Sequence, residues 1–94
     1  MKEIQFIWDE QKSLANITKH QVTFEEAKTV FSDANARVIA DPDYSDDEDR
    51  FIILGISNKL RLLVVCHCYR ESDEVIRIIS ARKATKNEVR SYGK

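Results

Sequence analysis

The sequence has 94 residues, of which 43% are hydrophobic and 33% charged, and its formal net charge is −1. A chain of this size forms one small domain with a modest core, and we assign residues 1–94 to it. The apolar runs are too short for a membrane-spanning helix and the first residues lack a signal-peptide pattern, so we predict a cytoplasmic protein without a membrane partner.

The chain opens with a predicted strand and a predicted helix. Residues 4–8, IQFIW, are rich in β-forming side chains. Asp9 is suited to cap the helix that follows, in which Leu14 and Ile17 lie three residues apart on one face. The helix ends with Lys19-His20, where positive charge interacts favourably with the helix dipole. We interpret His20 as a helix-end cation rather than as a catalyst.

Two capping boxes mark further helices. Residues 23–26, TFEE, open a second helix, and Thr85 with Glu88 opens a short helix near the end of the chain. Strands are predicted at 36–40, 50–57, 60–70 and 75–82. The order β-α-α-β-β-β-β-α predicts an α+β domain, in which two N-terminal helices pack on an antiparallel sheet and a short C-terminal helix follows.

Charge is unevenly distributed along the chain. Residues 41–49 contain six acids and no base, whereas residues 59–94 contain nine Lys or Arg and four acids. Such blocks are typical of separate surfaces for different partners. The alternative is a solvated acidic loop beside a basic helix.

Alternation along residues 60–70 predicts which side chains face the helices. The even positions are all apolar and are assigned to the helix side: Leu60, Leu62, Val64, Cys66 and Cys68. The two cysteines are then core residues rather than a metal or redox site. His67 falls on the other face, and a short turn at 71–74 places Arg77 beside it. That face is either a groove for phosphates and bases or the exposed side of a one-sided sheet.

Several motifs together resemble the BrnT family, the toxins of BrnT/BrnA type II toxin–antitoxin pairs. They are FIWDEQK at 6–12, Asn16, Lys19-His20, TFEEA at 23–27, Val30-Phe31, Asp33, Glu48 with Arg50, Gly55, RLLVVCHCYR at 61–70 and RIISARKA at 77–84. One departure is Gln21, where the family usually has Gly, which adopts a left-handed C-cap with less strain.

The resemblance implies a RelE-like fold and a ribonuclease that inhibits translation without a cofactor. It also implies a BrnA-like ribbon-helix-helix antitoxin, held in a hetero-oligomer, through which the chain reaches operator DNA. The alternative is a non-catalytic binding module that helps its DNA-binding antitoxin repress their operon.

Metal-independent RNA cleavage needs a base, donors for the charged phosphorane and an acid. Arg77 and Arg82 lie in an apolar strand, where each is either an ion-pair partner or a phosphate ligand, and we predict that both stabilise the transition state. His67 and Glu48 are the candidate proton-transfer residues. RNA-binding roles are predicted for Arg50, Arg61, Arg70, Lys83 and Tyr92, the last of which stacks on a base or packs the final helix.

Overall fold

The computed structural model describes residues 3–41, 49–70 and 74–93, which form a five-stranded sheet with helices. The strands are β1 (Gln5–Ile7), β2 (Arg37–Ala40), β3 (Phe51–Ile56), β4 (Leu62–Arg70) and β5 (Val75–Lys83). The helices are α1 (Glu10–His20), α2 (Phe24–Thr29) and α3 (Lys86–Ser91), with a 3₁₀ turn at Val30–Ser32. The predicted α+β class is confirmed. No helix among the described residues is long and apolar enough to cross a membrane.

The sheet is mixed, so the prediction of an antiparallel sheet was wrong. Its strand order is β1-β5-β4-β3-β2, and β2 to β5 form an antiparallel meander. β1 pairs in parallel with β5, with Gln5 opposite Val75 and Ile7 opposite Arg77. Strand patterning in a sequence reveals which residues alternate between faces but not which strand they pair with, and β1 meets a strand 70 residues later.

Both ends of α1 are capped as the sequence indicates. The Asp9 side chain accepts a hydrogen bond from the Lys12 amide at 3.0 Å. At the other end, Gln21 adopts the left-handed conformation, with φ 61° and ψ 34°, and its amide donates to the Ile17 carbonyl. Glycine would reach this conformation with less strain, so the departure at Gln21 falls at a position that favours glycine.

The buried face of α1 is polar. Leu14 is 60% exposed and Ile17 is also exposed, whereas Ser13 and Asn16 are buried. The Asn16 amide donates to the carbonyls of Val22 and Ala81, both at 2.9 Å, and its oxygen accepts from the Ala81 amide at 3.1 Å. One carboxamide therefore joins α1, the segment after it and β5, and the apolar spacing of α1 does not mark its inner face.

The core lies between the sheet and the first two helices. Its buried members are Val22, Phe24, Ala27, Val30, Ile53, Leu63, Val65, Ile78 and Ala81. The odd positions of β4 therefore face the helices, and the prediction that the even positions do so was wrong. Residues 62–66 are apolar at both parities, so alternation alone did not fix which set points inward.

A β-bulge in β5 places its two arginines on one face. Cys66 lies opposite Ser80 but His67 lies opposite Ile78, which leaves one extra residue in β5. As a result, Arg77 opposite Cys68 and Arg82 opposite Val64 share the sheet face that lies opposite the α1–α2 side, which we call the open face. Four residues of β4 separate these positions, roughly 13 Å along the strand. The predicted placement of His67 beside Arg77 on an open face was wrong.

Asp33, just after the 3₁₀ turn, ties the end of the chain to the sheet. Its carboxylate accepts the Ile56 amide at 2.8 Å and the Tyr92 hydroxyl. β3 approaches this region closely at Gly55, where an added Cβ would lie 2.8 Å from Val30 Cγ1 and 3.1 Å from Asp33 Oδ2. Only glycine leaves this contact undisturbed.

Candidate basic groove

The end of α1 and the junction between β5 and α3 form a groove of about 450 Å³. It is lined by Lys19, His20, Gln21, Arg82, Lys83 and Thr85. Within the part of the chain that the structure describes, the side chains of Lys19, His20 and Lys83 make no hydrogen bond or ion pair. A concave surface with unpaired cations attracts anions. We call these six residues the basic groove.

Two polar contacts hold the walls of the basic groove in place. Asn16 bonds to Val22, which follows Gln21, and to Ala81, which precedes Arg82, so it fixes both walls of the groove. Nη2 of Arg61 donates to the Gln21 carbonyl at 3.2 Å. Because the bonds of Asn16 are buried, they hold the end of α1 against β5 more firmly than an exposed contact would.

Arg82 is paired with a carboxylate but keeps one donor edge open. Its Nη1 and Nη2 donate to the two oxygens of Glu88 at 2.8 and 2.9 Å, and Nη1 also reaches the Lys83 carbonyl at 3.3 Å. The adjacent edge of the guanidinium carries Nε–H and the second Nη2–H, and neither has a partner among the described residues. That edge matches two phosphate oxygens. Arg82 can thus bind Glu88 and a phosphate together.

Both carboxylate oxygens of Glu88 accept hydrogen bonds from the protein. Its Oε1 also accepts the Thr85 amide at 2.7 Å, and the Thr85 hydroxyl accepts the Glu88 amide, which completes the predicted capping box of α3. The hydrogen bonds from Arg82 lower the pKa of Glu88 to about 2. The carboxylate is therefore ionised at any physiological pH.

Arg61 lies outside the groove and its side chain is bonded to the protein. Its Nε donates to Glu26 Oε2 at 2.9 Å and its Nη2 to Glu26 Oε1, and the Ser57 hydroxyl donates to the same carboxylate at 2.6 Å. Glu26 is buried, and the hydrogen bond from Arg61 holds its pKa below the ordinary value. Through this pair, Arg61 anchors the β3–β4 hairpin to α2.

His67 is fully buried among aromatic rings. Its ring lies 4.8 Å from that of Phe31, centroid to centroid. Nδ1 is 3.2 Å from the Val65 carbonyl and Nε2 is 3.3 Å from the Tyr69 hydroxyl. Burial lowers the pKa of His67, which favours the neutral form of the ring. RNA cannot reach it in this structure.

The remaining predicted site residues are dispersed. Arg77 is half-buried on the open face, and Arg70 is exposed at the end of β4. Arg50 precedes β3, where its carbonyl accepts the Asp41 amide. Tyr92 is bonded to Asp33. Glu48 lies outside the described residues. Of the nine predicted residues, the structure brings Arg82 and Lys83 together in the basic groove.

The sequence analysis missed two residues of this groove. Lys19 and His20 were assigned to the helix dipole, and they do lie in the last turn of α1. Their proximity to Arg82 depends on how α1 docks on β5, through the buried Asn16, and apolar periodicity cannot reveal that contact. The available signal was the adjacent Lys-His pair among the motifs of the resemblance.

A second groove, on the open face of the sheet, differs in character. Its volume is about 220 Å³. It is lined by Arg37, Ile39, Ile52, Leu54, Val64, Glu88 and Ser91. The lining is largely apolar, and Arg37 donates through Nη1 to the Ser91 carbonyl at 2.9 Å. This groove lacks the concentration of cations that a phosphate requires.

Comparisons with known proteins identify a family and a related solved structure. A family model described as "Ribonuclease toxin, BrnT, of type II toxin-antitoxin system" matches residues 8–88. The crystal structure of the Brucella abortus ribonuclease toxin BrnT is similar, with a TM-score of 0.67 and 28% sequence identity. The match covers 88% of this chain and 99% of that one. No curated protein matches the sequence significantly.

Proposed function

The chain belongs to the BrnT family of ribonuclease toxins of type II toxin–antitoxin systems, as its motifs predicted, and from this premise we propose that it cleaves RNA at the basic groove. The observation that carries the proposal is the Nε–H and Nη2–H edge of Arg82, which has no partner among the described residues. Arg82 lines the same groove as Lys19 and Lys83, which pair with none of the described residues. In this proposal the reaction is metal-independent and takes place in the cytoplasm, where loss of RNA inhibits translation.

Each groove cation has a distinct role in the proposed reaction. Arg82 donates two parallel hydrogen bonds to the scissile phosphate and stabilises the charge that develops on the phosphorane. Lys19 and Lys83 lie on opposite walls and interact with the flanking phosphates. These contacts neutralise the backbone and make RNA binding salt-dependent.

The other predicted residues divide between binding and structure. Arg77 and Arg70 are proposed to contact the RNA backbone along the open face, beyond the groove. Glu48 remains a predicted proton-transfer residue, and Arg50 remains a predicted contact of the RNA backbone. We assign Arg61, His67 and Tyr92 to folding, because each is bonded to the protein or buried.

The family implies an antitoxin as well as an RNA target. We propose that this partner is a BrnA-like ribbon-helix-helix protein, that the two form a hetero-oligomer, and that the complex binds operator DNA through the antitoxin. The proposal includes a RelE-like fold for the toxin.

The test is induced expression of three proteins in a bacterial host, with growth and RNA integrity followed together. Wild type should arrest growth and cleave RNA. Arg82→Ala should reduce cleavage about 10²-fold or more, because one transition-state donor has this effect in other enzymes. Lys28→Ala removes a cation on α2 that pairs with Glu25 outside the groove, and it should behave as wild type.

Each alternative has its own signature in this experiment. Growth arrest without RNA cleavage in the wild type would identify a different target. A wild type that neither arrests growth nor cleaves RNA would favour the non-catalytic binding module. Unchanged cleavage by folded Arg82→Ala would remove the reaction from the basic groove.

A further inference from the structure

His20 is the imidazole that RNA can reach. The chain has two histidines, and His67 is buried with both ring nitrogens close to protein oxygens. His20 lines the basic groove, is only partly buried, and makes no hydrogen bond with any described residue. Its ring is thus available to a ligand of the groove.

The other charged groups that face the groove are poor proton acceptors. Lys19 on α1, and Arg82 and Lys83 on β5, are cations that supply positive charge and donors. Glu88 on α3 lies behind Arg82, and both of its oxygens are bonded. An imidazole, by contrast, exchanges a proton readily near neutral pH.

The backbone on which His20 sits is firmly positioned. The next residue, Gln21, caps α1 and its carbonyl accepts a hydrogen bond from Arg61. The carbonyl after that, from Val22, is held by the buried Asn16, which also holds the residue before Arg82. His20 at the end of α1 and Arg82 on β5 therefore lie on two elements that the buried Asn16 side chain holds together.

We propose that His20 is the general base of the RNA cleavage, an inference that rests on the proposed function of the groove. A ring nitrogen takes the proton of the ribose 2′-OH as the 2′-oxygen bonds to phosphorus. The bond from phosphorus to the 5′-oxygen then breaks, and that oxygen takes a proton from water, which leaves a 2′,3′-cyclic phosphate. The imidazolium forms as the phosphorane gains negative charge, so it also stabilises the transition state.

The test is cleavage of a short oligoribonucleotide of defined sequence by the purified chain, with kcat and KM measured from pH 5 to 9. His20→Gln should lower kcat by about 10²- to 10³-fold and change KM less than threefold, because general-base catalysis contributes a factor of this size. The rise of kcat with pH that His20 causes should disappear. Added imidazole should restore part of the rate of His20→Ala.

Lys19→Gln is the matched control, since Lys19 precedes His20 in the same groove. It should raise KM several-fold and leave the shape of the pH profile unchanged. A wild-type chain that cleaves no RNA would refute the proposed function itself. Cleavage by wild type together with an unchanged kcat and pH profile in His20→Gln would refute only the role of His20, as would His20→Ala whose rate imidazole does not raise.

Discussion

Two arginine–glutamate pairs in this small domain use the same chemistry for different ends. Arg61 donates to Glu26 through Nε and Nη2, an edge whose two parallel N–H groups can bind a carboxylate or a phosphate. Arg82 donates to Glu88 through Nη1 and Nη2 and leaves its Nε–Nη2 edge open. The Glu26 side chain is 2% exposed, whereas that of Glu88 is 32% exposed. One pair is a closed structural contact, and the other leaves an edge of its arginine available to a ligand.

The difference teaches that an arginine's role depends on which edge of its guanidinium is occupied. Presence in an ion pair does not by itself remove Arg82 from function, since three of its five N–H groups suffice for Glu88 and Lys83. Arg61 has its Nε and Nη2 edge filled by a buried acid, and it serves the groove only indirectly, through the Gln21 carbonyl.

The largest expected effect is a difference between the two pairs in how much each contributes to the free energy of unfolding. Glu26→Gln should lower the free energy of unfolding by about 3 kcal/mol, because removing one partner leaves the other charge partly buried and unpaired. Glu88→Gln should cost about 1 kcal/mol, since both of its partners reach solvent and only an ion pair and one cap are weakened. Urea denaturation at pH 7 measures both values.

Glu25→Gln is the control for that comparison, because Glu25 is exposed and pairs with Lys28 within α2. It should change stability by less than about 0.5 kcal/mol. Equal losses in Glu26→Gln and Glu88→Gln would contradict the division into a closed pair and an open one.

The second prediction concerns pH. Arg82 and Thr85 depress the folded-state pKa of Glu88 to about 2, from an ordinary value of 4.5. A carboxylate with a depressed pKa contributes stability that is complete above the unfolded value and is lost as pH falls through the folded one. The stability difference between wild type and Glu88→Gln should therefore be constant above pH 5 and shrink steadily towards pH 2. Denaturant titrations at pH 7, 4 and 3 test this, and a difference independent of pH would exclude the Arg82 contact as its source.

The sequence was sufficient for the α+β class and for the N-cap residues Asp9, Thr23 and Thr85, since these depend on local patterns. The predicted capping box at 23–26 was half right, because the Glu26 side chain bonds to Arg61 and Ser57. It was insufficient for the faces of β4, where both parities are apolar, and for the β5 bulge that aligns Arg77 with Arg82. The basic groove was only half predicted. Arg82 and Lys83 were identified from motifs, but Lys19 and His20 join them through a buried Asn16 that no apolar pattern marks.

The smallest expected effect lies next to Arg61, at the tip of the β3–β4 hairpin. Leu60 has φ 61° and is 86% exposed, so its side chain contributes strain without packing. Leu60→Gly should raise the free energy of unfolding by about 0.5 kcal/mol, because relief of left-handed strain slightly exceeds the extra entropy that glycine gives the unfolded chain. Urea denaturation measures the gain, and Asn58→Gly, which has no positive φ to relieve, should give none. Since the hairpin amides around Ser57 are unchanged, the Glu26–Arg61 pair should persist. A loss of stability in Leu60→Gly would mean that the entropy cost of glycine exceeds the strain that it relieves.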